Sequence, residues 1–325
     1  MCMIEKDIGQ PKIHRLRLIH LFEADMNGIA KIIWARRFIY HCQDHNLLHP
    51  SQHGGLPGFE TQRVLLKFRM TTDSALLMRH NLAVNNNNAE ACYDRIIPAL
   101  NGISHMSKGM PESAINLQNS LLLNMKYSVK TAHGTSNMTW INSEEDPKFG
   151  LGQGGGWSPP GWASLSTDMI NTHGKVTEHG MTIPSITGSE DSTTRTIDAY
   201  VDDANIGVND GEYQTSTPYF ELLNRLEQSS QKWERILNIT GGNLNLTKCF
   251  CSLLTWQWQC EIPNPSSVLE EPGNIEITNS ATGVRSMIER LESNQAFKLL
   301  GVWVQLHGHM STHYTELQTK IRQLT

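Results

Sequence analysis

The chain has 325 residues, of which 38% are hydrophobic and 18% are charged, a balance typical of a folded globular protein and not of a disordered one. Its length exceeds that of one average domain, so we expect two or three subdomains around a sizeable core. The formal net charge of −5 excludes a uniformly basic nucleic-acid-binding protein. The charge is uneven, however, since residues 1–80 hold 11 Lys and Arg against 7 Asp and Glu, whereas the rest hold 16 against 25.

The cysteines and the first residues predict an intracellular protein, cytoplasmic or nuclear, and not a secreted one. The six cysteines include no Cys-x-x-Cys pair and no histidine at zinc-finger spacing, which indicates reduced thiols. The N-terminal residues lack an apolar core for secretion, and no apolar run is long enough to cross a bilayer. We therefore expect no membrane partner, and the sequence leaves the oligomeric state open.

The first half of the chain is predicted to be largely helical. Apolar positions in residues 26–48 recur at helical spacing with Lys31, Arg36 and Arg37 between them, which predicts an amphipathic helix. An amphipathic surface helix and a helix that contacts a nucleic-acid template are both compatible with this pattern. The elements predicted next, in chain order, are a loop at 53–58, a helix over 59–79, a strand over 81–84, helices over 93–103 and 111–131, and a long polar loop over 133–156.

A glycine-rich segment runs from Gly150 to Pro160 and holds five glycines together with Gln153. A glycine backbone can approach a ligand closely, and Ser158 followed by two prolines predicts a helix start with the serine as cap. No Gly-Lys-Ser/Thr string follows, so this is not a Walker phosphate loop. The segment suits a loop that lies against a nucleotide and its template base, and a flexible linker is the alternative.

The string Tyr200-Val201-Asp202-Asp203 predicts two short strands that meet at a turn carrying adjacent carboxylates. Like charges at this separation repel, and a divalent cation that prefers oxygen ligands is the usual compensation. A solvated Asp-Asp turn is the alternative. Asp202 and Asp203 are therefore candidate metal ligands.

The remaining elements surround this hairpin. They are a helix over 158–170, an irregular excursion over 174–193, a helix that starts near Tyr219 and ends at Gly241-Gly242, a strand over 249–259, a turn-rich and partly disordered segment over 263–276, a strand over 299–306 and a helix over 312–324. The apolar stripe of the helix after Tyr219 indicates a core element.

Together these strings resemble the palm and fingers of reverse transcriptases of the retroelement, non-LTR retrotransposon type. The resemblance covers residues 12–305 and five motifs that occur here in the family's order. They are a strand and helix over 83–96, the Gln-Gly loop from Gln153 to Pro159, the Tyr-x-Asp-Asp hairpin, a lysine-bearing segment over 245–249 and a Leu-Gly strand over 297–302.

The resemblance implies site residues and partners. Asp202 and Asp203 would be catalytic and would hold two Mg²⁺ or Mn²⁺ ions. Nucleotide binding would fall to Tyr93, beneath the sugar, and to Gln153, Gly154 and Lys248, whereas Arg15, Arg17 and Lys31 would contact nucleic-acid phosphates. A buried palm tyrosine and a plain surface lysine are the alternatives for Tyr93 and Lys248. The implied partners are an RNA template, a DNA primer and deoxynucleoside triphosphates.

One position departs from the family pattern. A metal-binding aspartate stands five residues before the aromatic of the first motif, and here Tyr93 places Asn88 at that position. An amide offers an oxygen but no charge, and losing one anionic ligand at about 4 Å forfeits on the order of 4 kcal/mol at an effective dielectric near 20. Expressed entirely at the transition state, that is roughly a thousandfold in rate. Asp94 is expected to cap a helix or pair with Arg95 and not to substitute.

The predicted fold class is α+β, a right-hand polymerase palm whose antiparallel sheet is backed by helices, with helical fingers and most of the thumb missing. The predicted segments are a basic fingers-like region (1–80), the first palm strand and helix (81–110), a helix and loop leading to the Gln-Gly motif (111–156), the palm with its hairpin (157–262), and a linker, the Leu-Gly strand and the start of a thumb-like helix (263–325).

The predicted function is RNA-templated DNA synthesis by two-metal nucleotidyl transfer, weakened by Asn88. The first alternative is an inactive relic of a retroelement that keeps the fold and binds nucleic acid without turnover. The second is a metal-dependent phosphohydrolase built on the same Asp pair, although no further cluster of His and Asp ligands is evident in the sequence.

Overall fold

The computed structural model describes residues 1–5, 16–58, 61–131, 133–143, 149–184, 192–210, 217–259 and 262–324. Its centre is a five-stranded sheet made of β3 (Leu82–Asn88), β8 (Ile197–Tyr200), β9 (Asp203–Asn209), β10 (Phe250–Leu254) and β15 (Glu289–Leu291). The strand order is β15-β10-β3-β9-β8, and every neighbouring pair is antiparallel except β10 with β15.

The long helix α8 (Tyr219–Ile239) packs on β3 and β9 of this sheet, and a second long helix, α7 (Ser158–Val176), packs against α8. The apolar stripe predicted for α8 is buried, because Leu222, Leu226 and Leu237 are each fully enclosed in the main core. The helix ends where predicted, with Gly241 adopting a positive φ of 90° two residues beyond Ile239. The central strands β3 and β9 therefore pack against α8 in the main core.

The other helices come mainly from the first half of the chain. Residues Ala24–Asp44 form a continuous helical segment made of α1 (Ala24–Ala30), a π-helical stretch (Lys31–Phe38) and α2 (Ile39–Asp44). The rest are α3 (Thr61–Leu77), α4 (Cys92–Arg95), α5 (Pro98–Ser107), α6 (Glu112–Asn124), a 3-10 turn (Leu246–Lys248) and α9 (Ser311–Leu324). No helix in the described ranges is both long enough and apolar enough to cross a membrane.

The remaining strands form one four-stranded sheet and four two-stranded hairpins. The sheet has the order β2-β1-β4-β5 and consists of β1 (Cys2–Glu5), β2 (Leu16–Ile19), β4 (Tyr127–Thr131) and β5 (Gly134–Trp140). The hairpins are β6 (Met181–Pro184) with β7 (Ser192–Arg195), β11 (Trp256–Gln259) with β12 (Ile262–Pro265), β13 (Glu276–Thr278) with β14 (Arg285–Met287), and β16 (Phe297–Leu299) with β17 (Val302–Val304).

The predicted α+β class, a mostly antiparallel sheet backed by helices as in a polymerase palm, is confirmed. Several boundaries were wrong because pairing partners lie far away in the chain. The helix predicted over 111–131 ends at Asn124, and the loop predicted over 133–156 contains β5, since β4 and β5 form a hairpin attached to β1. The strand predicted over 81–84 continues to Asn88 because β9 pairs with it along its whole length.

Other corrections have local causes. The helix predicted over 93–103 is interrupted before Pro98, and the one predicted over 158–170 runs on to Val176, into the segment predicted as irregular. The strand predicted over 249–259 is split at Thr255. The strand predicted over 299–306 is a hairpin, because Leu300 and Gly301 both adopt positive φ, at 48° and 92°.

Candidate active site

The tip of the β8–β9 hairpin carries the two carboxylates and is fixed on two sides. Val201 adopts a positive φ of 54°, and the indole Nε1 of Trp162 donates a hydrogen bond to its carbonyl oxygen at 2.7 Å. Gly54 packs against the same turn so closely that a Cβ there would lie 2.3 Å from the Val201 nitrogen. Contacts with Trp162 and Gly54 therefore fix the conformation of this turn.

Asn88 lies beside both aspartates. It is the register partner of Asp203 across the β3–β9 pair, so their side chains share one face of the sheet. Its amide Nδ2 donates to Asp203 Oδ1 at 3.0 Å and to Asp202 Oδ2 at 3.4 Å. The Ala89 amide donates to the Asp202 carbonyl at 2.8 Å. The structure thus brings together the three residues that the sequence placed in one candidate site.

The charges at this tip oppose one another. Burial raises the pKa of Asp203, and the nearby Asp202 carboxylate raises it further. The hydrogen bond from Asn88 and the positive charge of Lys248 act in the other direction and lower the pKa of Asp203. Lys248, the lysine that the resemblance implied near this site, is exposed in the 3-10 turn after Asn245.

A divalent cation fits this donor set only in part. Two carboxylates supply the charge that balances one divalent ion. The third side chain, Asn88, directs its NH₂ group toward both carboxylates. Carboxylate oxygens accept from such a donor, but an NH₂ group is not a ligand for a cation. Within the described ranges, no group of three or more His, Cys, Asp and Glu residues could hold a metal. Asp202 and Asp203 therefore suit a single cation and do not suit the pair of ions implied by the resemblance.

A cleft of about 790 Å³ opens between the π-helical stretch and the glycine-rich loop. Its lining includes Lys31, Tyr93 and Gly154, three of the residues predicted to contact nucleotide or phosphate. Arg36 and Tyr40 line it as well, and neither was predicted as a site residue. Their signal was available, because the helical spacing of residues 26–48 puts positions 36 and 40 on the side of Lys31 and Ile32.

Tyr93 links this cleft to the carboxylates. It is half-buried, and burial raises the pKa of its phenol, with further contributions from Cys92, Asp202 and Tyr200. Tyr93 is thus a residue of the cleft whose phenol is sensitive to the charge of Asp202.

The glycine-rich loop is packed against the chain itself, so the flexible-linker alternative is wrong. Gly154 has a φ of 116°, and a Cβ there would lie 2.5 Å from the carbonyl oxygen of His20. A Cβ on Gly156 would lie 2.7 Å from Cγ of Lys31. The Asn27 Oδ1 accepts a hydrogen bond from the Gly156 amide at 2.7 Å. The glycines are required by this close packing, which fixes the loop beside the cleft.

Gln153 is anchored through its backbone. Its carbonyl accepts from the His20 amide at 2.7 Å, and its own amide donates to Asp94 Oδ1 at 3.3 Å. The expectation that Asp94 caps a helix or pairs with Arg95 was wrong, because Arg95 pairs with Glu90 at 2.7 Å. Asp94 instead ties the glycine-rich loop to α4.

Ser158 also differs from its predicted role. Helix α7 begins at Ser158 itself, and Trp157 occupies the cap position. The Ser158 hydroxyl donates to the carbonyl oxygens of Gly152 at 2.7 Å and Leu151 at 3.0 Å. The side chain therefore closes the glycine-rich loop on itself and does not cap the helix.

The structure does not describe the side chains of two of the predicted phosphate contacts, Arg15 and Arg17. Arg15 lies outside the described residues. The backbone of Arg17 belongs to β2 and pairs with Ile4 in the four-stranded sheet, and its side chain is outside the described part. Lys31 is the one of the three whose position in the cleft is described.

Comparison with known proteins shows no matching family model and no matching curated sequence. Among solved structures, the chain resembles a telomerase from Candida tropicalis truncated from its C-terminal domain, with 13% identity and a TM-score of 0.48, over 87% of this chain and 45% of that chain. A telomerase from Candida albicans in complex with a telomeric RNA fragment matches with 11% identity and a TM-score of 0.48, over 85% of this chain and 36% of the other.

The RNA-dependent RNA polymerase of a human picobirnavirus matches with 12% identity and a TM-score of 0.39, over 77% of this chain and 41% of the other. The chain therefore spans less than half the length of each of these three proteins.

Proposed function

We propose that this chain is a reverse transcriptase domain, an RNA-directed DNA polymerase of retroelement type whose nucleotidyl transfer is weakened by Asn88. The observation that carries the proposal is the contact of the Asn88 amide with both Asp202 and Asp203 at the hairpin tip. A strand-borne side chain beside an Asp pair is the arrangement that the family resemblance requires. Here that side chain is neutral.

The described residues support a division of labour within this function. Asp202 and Asp203 would hold a Mg²⁺ or Mn²⁺ ion, which when bound would neutralise charge on a triphosphate. Tyr93 would lie beneath the sugar, where its ring disfavours a 2′-hydroxyl. Gly154 and Gln153 would border the nucleotide and template.

The cations of the site would meet the phosphates. Lys31 and Arg36 line the cleft, and Lys248 is close enough to Asp203 to lower its pKa. These groups bind and orient, so they need no proton transfer to act. The macromolecular partners of the domain would be an RNA template and a DNA primer.

A second candidate function is nucleic-acid binding without turnover by a relic of a retroelement. It is favoured by the two hydrogen bonds from Asn88, which satisfy carboxylate oxygens that would otherwise require a cation. A site stabilised in this way has less to gain from metal. The phosphohydrolase alternative gains no support, because the described residues offer no additional group of His and Asp ligands.

Primer extension on an RNA template separates these functions. The wild type, Asn88→Asp and the double variant Asn88→Asp/Asp203→Asn are compared with deoxynucleotides and Mg²⁺ or Mn²⁺. We expect trace extension by the wild type and a gain of up to about a thousandfold for the single variant, because a third carboxylate restores about 4 kcal/mol of attraction to the metal. The double variant, which again has two carboxylates, should lose that gain.

Two outcomes contradict the proposal. Extension by the wild type at the rate of Asn88→Asp would refute the role given to Asn88. A folded Asn88→Asp protein that binds metal yet extends no primer would reject polymerase function and leave the relic.

A further inference from the structure

Two histidines lie side by side at the end of the helical segment Ala24–Asp44. His41 belongs to the last turn of α2, and His45 follows directly after Asp44. Residues four apart lie on one face of a helix, and the centroids of these two imidazole rings are 4.3 Å apart. Both residues are exposed. Two histidines with this spacing on one helix face form an arrangement that can hold a transition metal.

A hydrogen bond fixes the tautomer of His45. Its Nδ1 lies 2.9 Å from the carbonyl oxygen of His41. A carbonyl oxygen can only accept, so Nδ1 carries the proton and Nε2 of the neutral ring keeps its lone pair. Metal-binding histidines are commonly oriented in this way, with one ring N–H donated to a backbone carbonyl and the other nitrogen facing the ion.

The backbone that carries His45 is held by a motif that ends the helix. The Asn46 amide donates to the Gln43 carbonyl at 3.2 Å, and the Leu47 amide donates to the Cys42 carbonyl at 2.9 Å. Asn46 adopts a positive φ of 53°. These are the bonds of a Schellman motif. Only rotations of the side chains are therefore needed to bring the two rings onto one ion.

Open space lies next to Nε2 of His41. A Cβ added to Gly109 would lie 3.3 Å from that nitrogen, and Gly109 has a φ of 88°, which favours glycine. Because Gly109 lies two residues beyond α5, the C-terminal ends of α2 and α5 approach each other at this nitrogen. The C-terminal end of a helix carries partial negative charge and favours a nearby cation.

The distance between the rings suits a shared ion. With Zn–N distances of about 2.0–2.1 Å and a tetrahedral angle, two imidazoles on one ion have centroids roughly 5 Å apart. The observed 4.3 Å is close to this value, so small ring rotations suffice. In the described part of the chain, no third His, Cys, Asp or Glu completes a set of three ligands. Water would fill the other positions, and the ion would exchange with solution.

A second pair of imidazoles offers a comparison. The centroids of His307 and His309 are 4.5 Å apart. Burial lowers the pKa of His307, and His309 and Arg69 lower it further. Arg69 pairs with Asp73 at 2.9 Å and also donates to the Gly308 carbonyl between the two rings. Surroundings that disfavour a proton on His307 also disfavour a metal ion, so this pair serves as a control.

We propose that His41 and His45 bind a borderline transition-metal ion such as Zn²⁺ through Nε2 of each ring. Imidazole nitrogen suits Zn²⁺, whereas Mg²⁺ prefers oxygen. The site therefore differs from the Asp202–Asp203 pair in donor atoms and in metal preference. The ion would join the last turn of the segment to the residue that follows it, next to Tyr40 of the nucleotide cleft. This inference goes beyond the proposed function and requires no turnover.

The test is isothermal titration calorimetry of the full chain with Zn²⁺ in excess Mg²⁺, which occupies oxygen donors and leaves imidazoles available. The informative variants are His41→Gln and His45→Gln, in which a polar side chain without an imidazole replaces each ligand. His309→Gln, which removes one exposed imidazole from the second pair, is the matched control. Thermal melting of each variant in EDTA checks that it is folded.

We expect the wild type to bind Zn²⁺ and the loss of either imidazole to weaken binding by about tenfold or more. His309→Gln should match the wild type. A wild type that takes up no Zn²⁺ would overturn the proposal, as would an equal loss in the control. Weakening in only one of the two variants would show that the rings do not share an ion and would overturn it as well.

Hydrogen exchange over residues 39–47 provides a readout independent of the heat of binding. An ion that bridges the two rings should slow exchange there in the wild type and not in His45→Gln. Zn²⁺ uptake without any slowing would refute the bridge. A chain that binds Zn²⁺ through both histidines yet extends no primer upholds this inference while refuting the polymerase function.

Discussion

Asn88→Asp should convert divalent metals from weak to strong stabilisers of this fold. A carboxylate in place of the amide would have an oxygen about where Nδ2 lies, 3.0 Å from Asp203 Oδ1 and 3.4 Å from Asp202 Oδ2. At an effective dielectric near 20, each contact is repulsive by about 5 kcal/mol, an upper bound because one carboxyl can protonate. The two hydrogen bonds to charged acceptors are lost as well, so the variant should be less stable than the wild type without metal.

With metal this deficit should shrink. A third carboxylate at about 4 Å from the cation adds roughly 4 kcal/mol of attraction, equivalent to about a thousandfold tighter binding. When the metal exceeds the dissociation constant of the variant by that factor, the added stability is about 4 kcal/mol. For a chain of this length, that corresponds to a melting shift of about 6 °C.

The measurement is a set of thermal melts of the wild type, Asn88→Asp and Asn88→Asp/Asp203→Asn in EDTA, Mg²⁺ and Mn²⁺. We expect a small metal shift for the wild type, a large one for the single variant, and a small one again for the double variant. A wild type that already gains several degrees from Mg²⁺, together with a variant that gains no more, would refute the role assigned to the neutral amide.

Three further predictions concern the frame around the site. Asn86→Val removes the buried donor to Asn205 Oδ1 at 2.7 Å, so urea unfolding should show a loss of about 1–3 kcal/mol, part of which a second Asn205→Val change restores. Gly54→Ala places a Cβ within 2.3 Å of the Val201 nitrogen and should cost more than about 3 kcal/mol, and an unchanged melting temperature would contradict that packing. Burial lowers the pKa of His173 from 6.5 to about 4, so the unfolded chain takes up its proton first and stability should fall by about 3 kcal/mol as the pH drops from 6.5 to 4. In urea unfolding, His173→Gln should reduce the dependence of the unfolding free energy on pH between 6.5 and 4. An unaltered dependence would show that another group is responsible.

Asn88 shows which features of the site could be predicted from the sequence. Its place in the candidate site followed from its spacing to Tyr93 and from the resemblance, and the structure places it against the Asp pair. The direction of its amide could not be predicted, because it depends on which carboxylate oxygens face β3 across the sheet. The partial fit of the site to a divalent cation follows from that direction.

The role of Asp94 shows the opposite case. Its neighbours in sequence suggested helix capping or a pair with Arg95, yet its partner is the amide of Gln153, 59 residues away. Arg36 is a different case, because the helical spacing of residues 26–48 already put it on the side of Lys31. What the spacing could not predict is that the glycine-rich loop would form the opposite wall of the cleft, since the two segments approach only when the chain is folded.

Local signals in the sequence predicted the Asp-Asp hairpin, the buried stripe and glycine end of α8, the helical spacing of residues 26–48, and the neutral residue at position 88. The folded chain was needed to establish the length of β3, the attachment of β4 and β5 to β1, the packing of the glycine-rich loop on His20 and Lys31, and the pairing of Lys67 and Arg195 with Asp198 of β8. Periodicity and turn chemistry act over a few residues and can be read in order along the chain. Strand pairing and charge clustering depend on which distant segments of the chain pack together in one core.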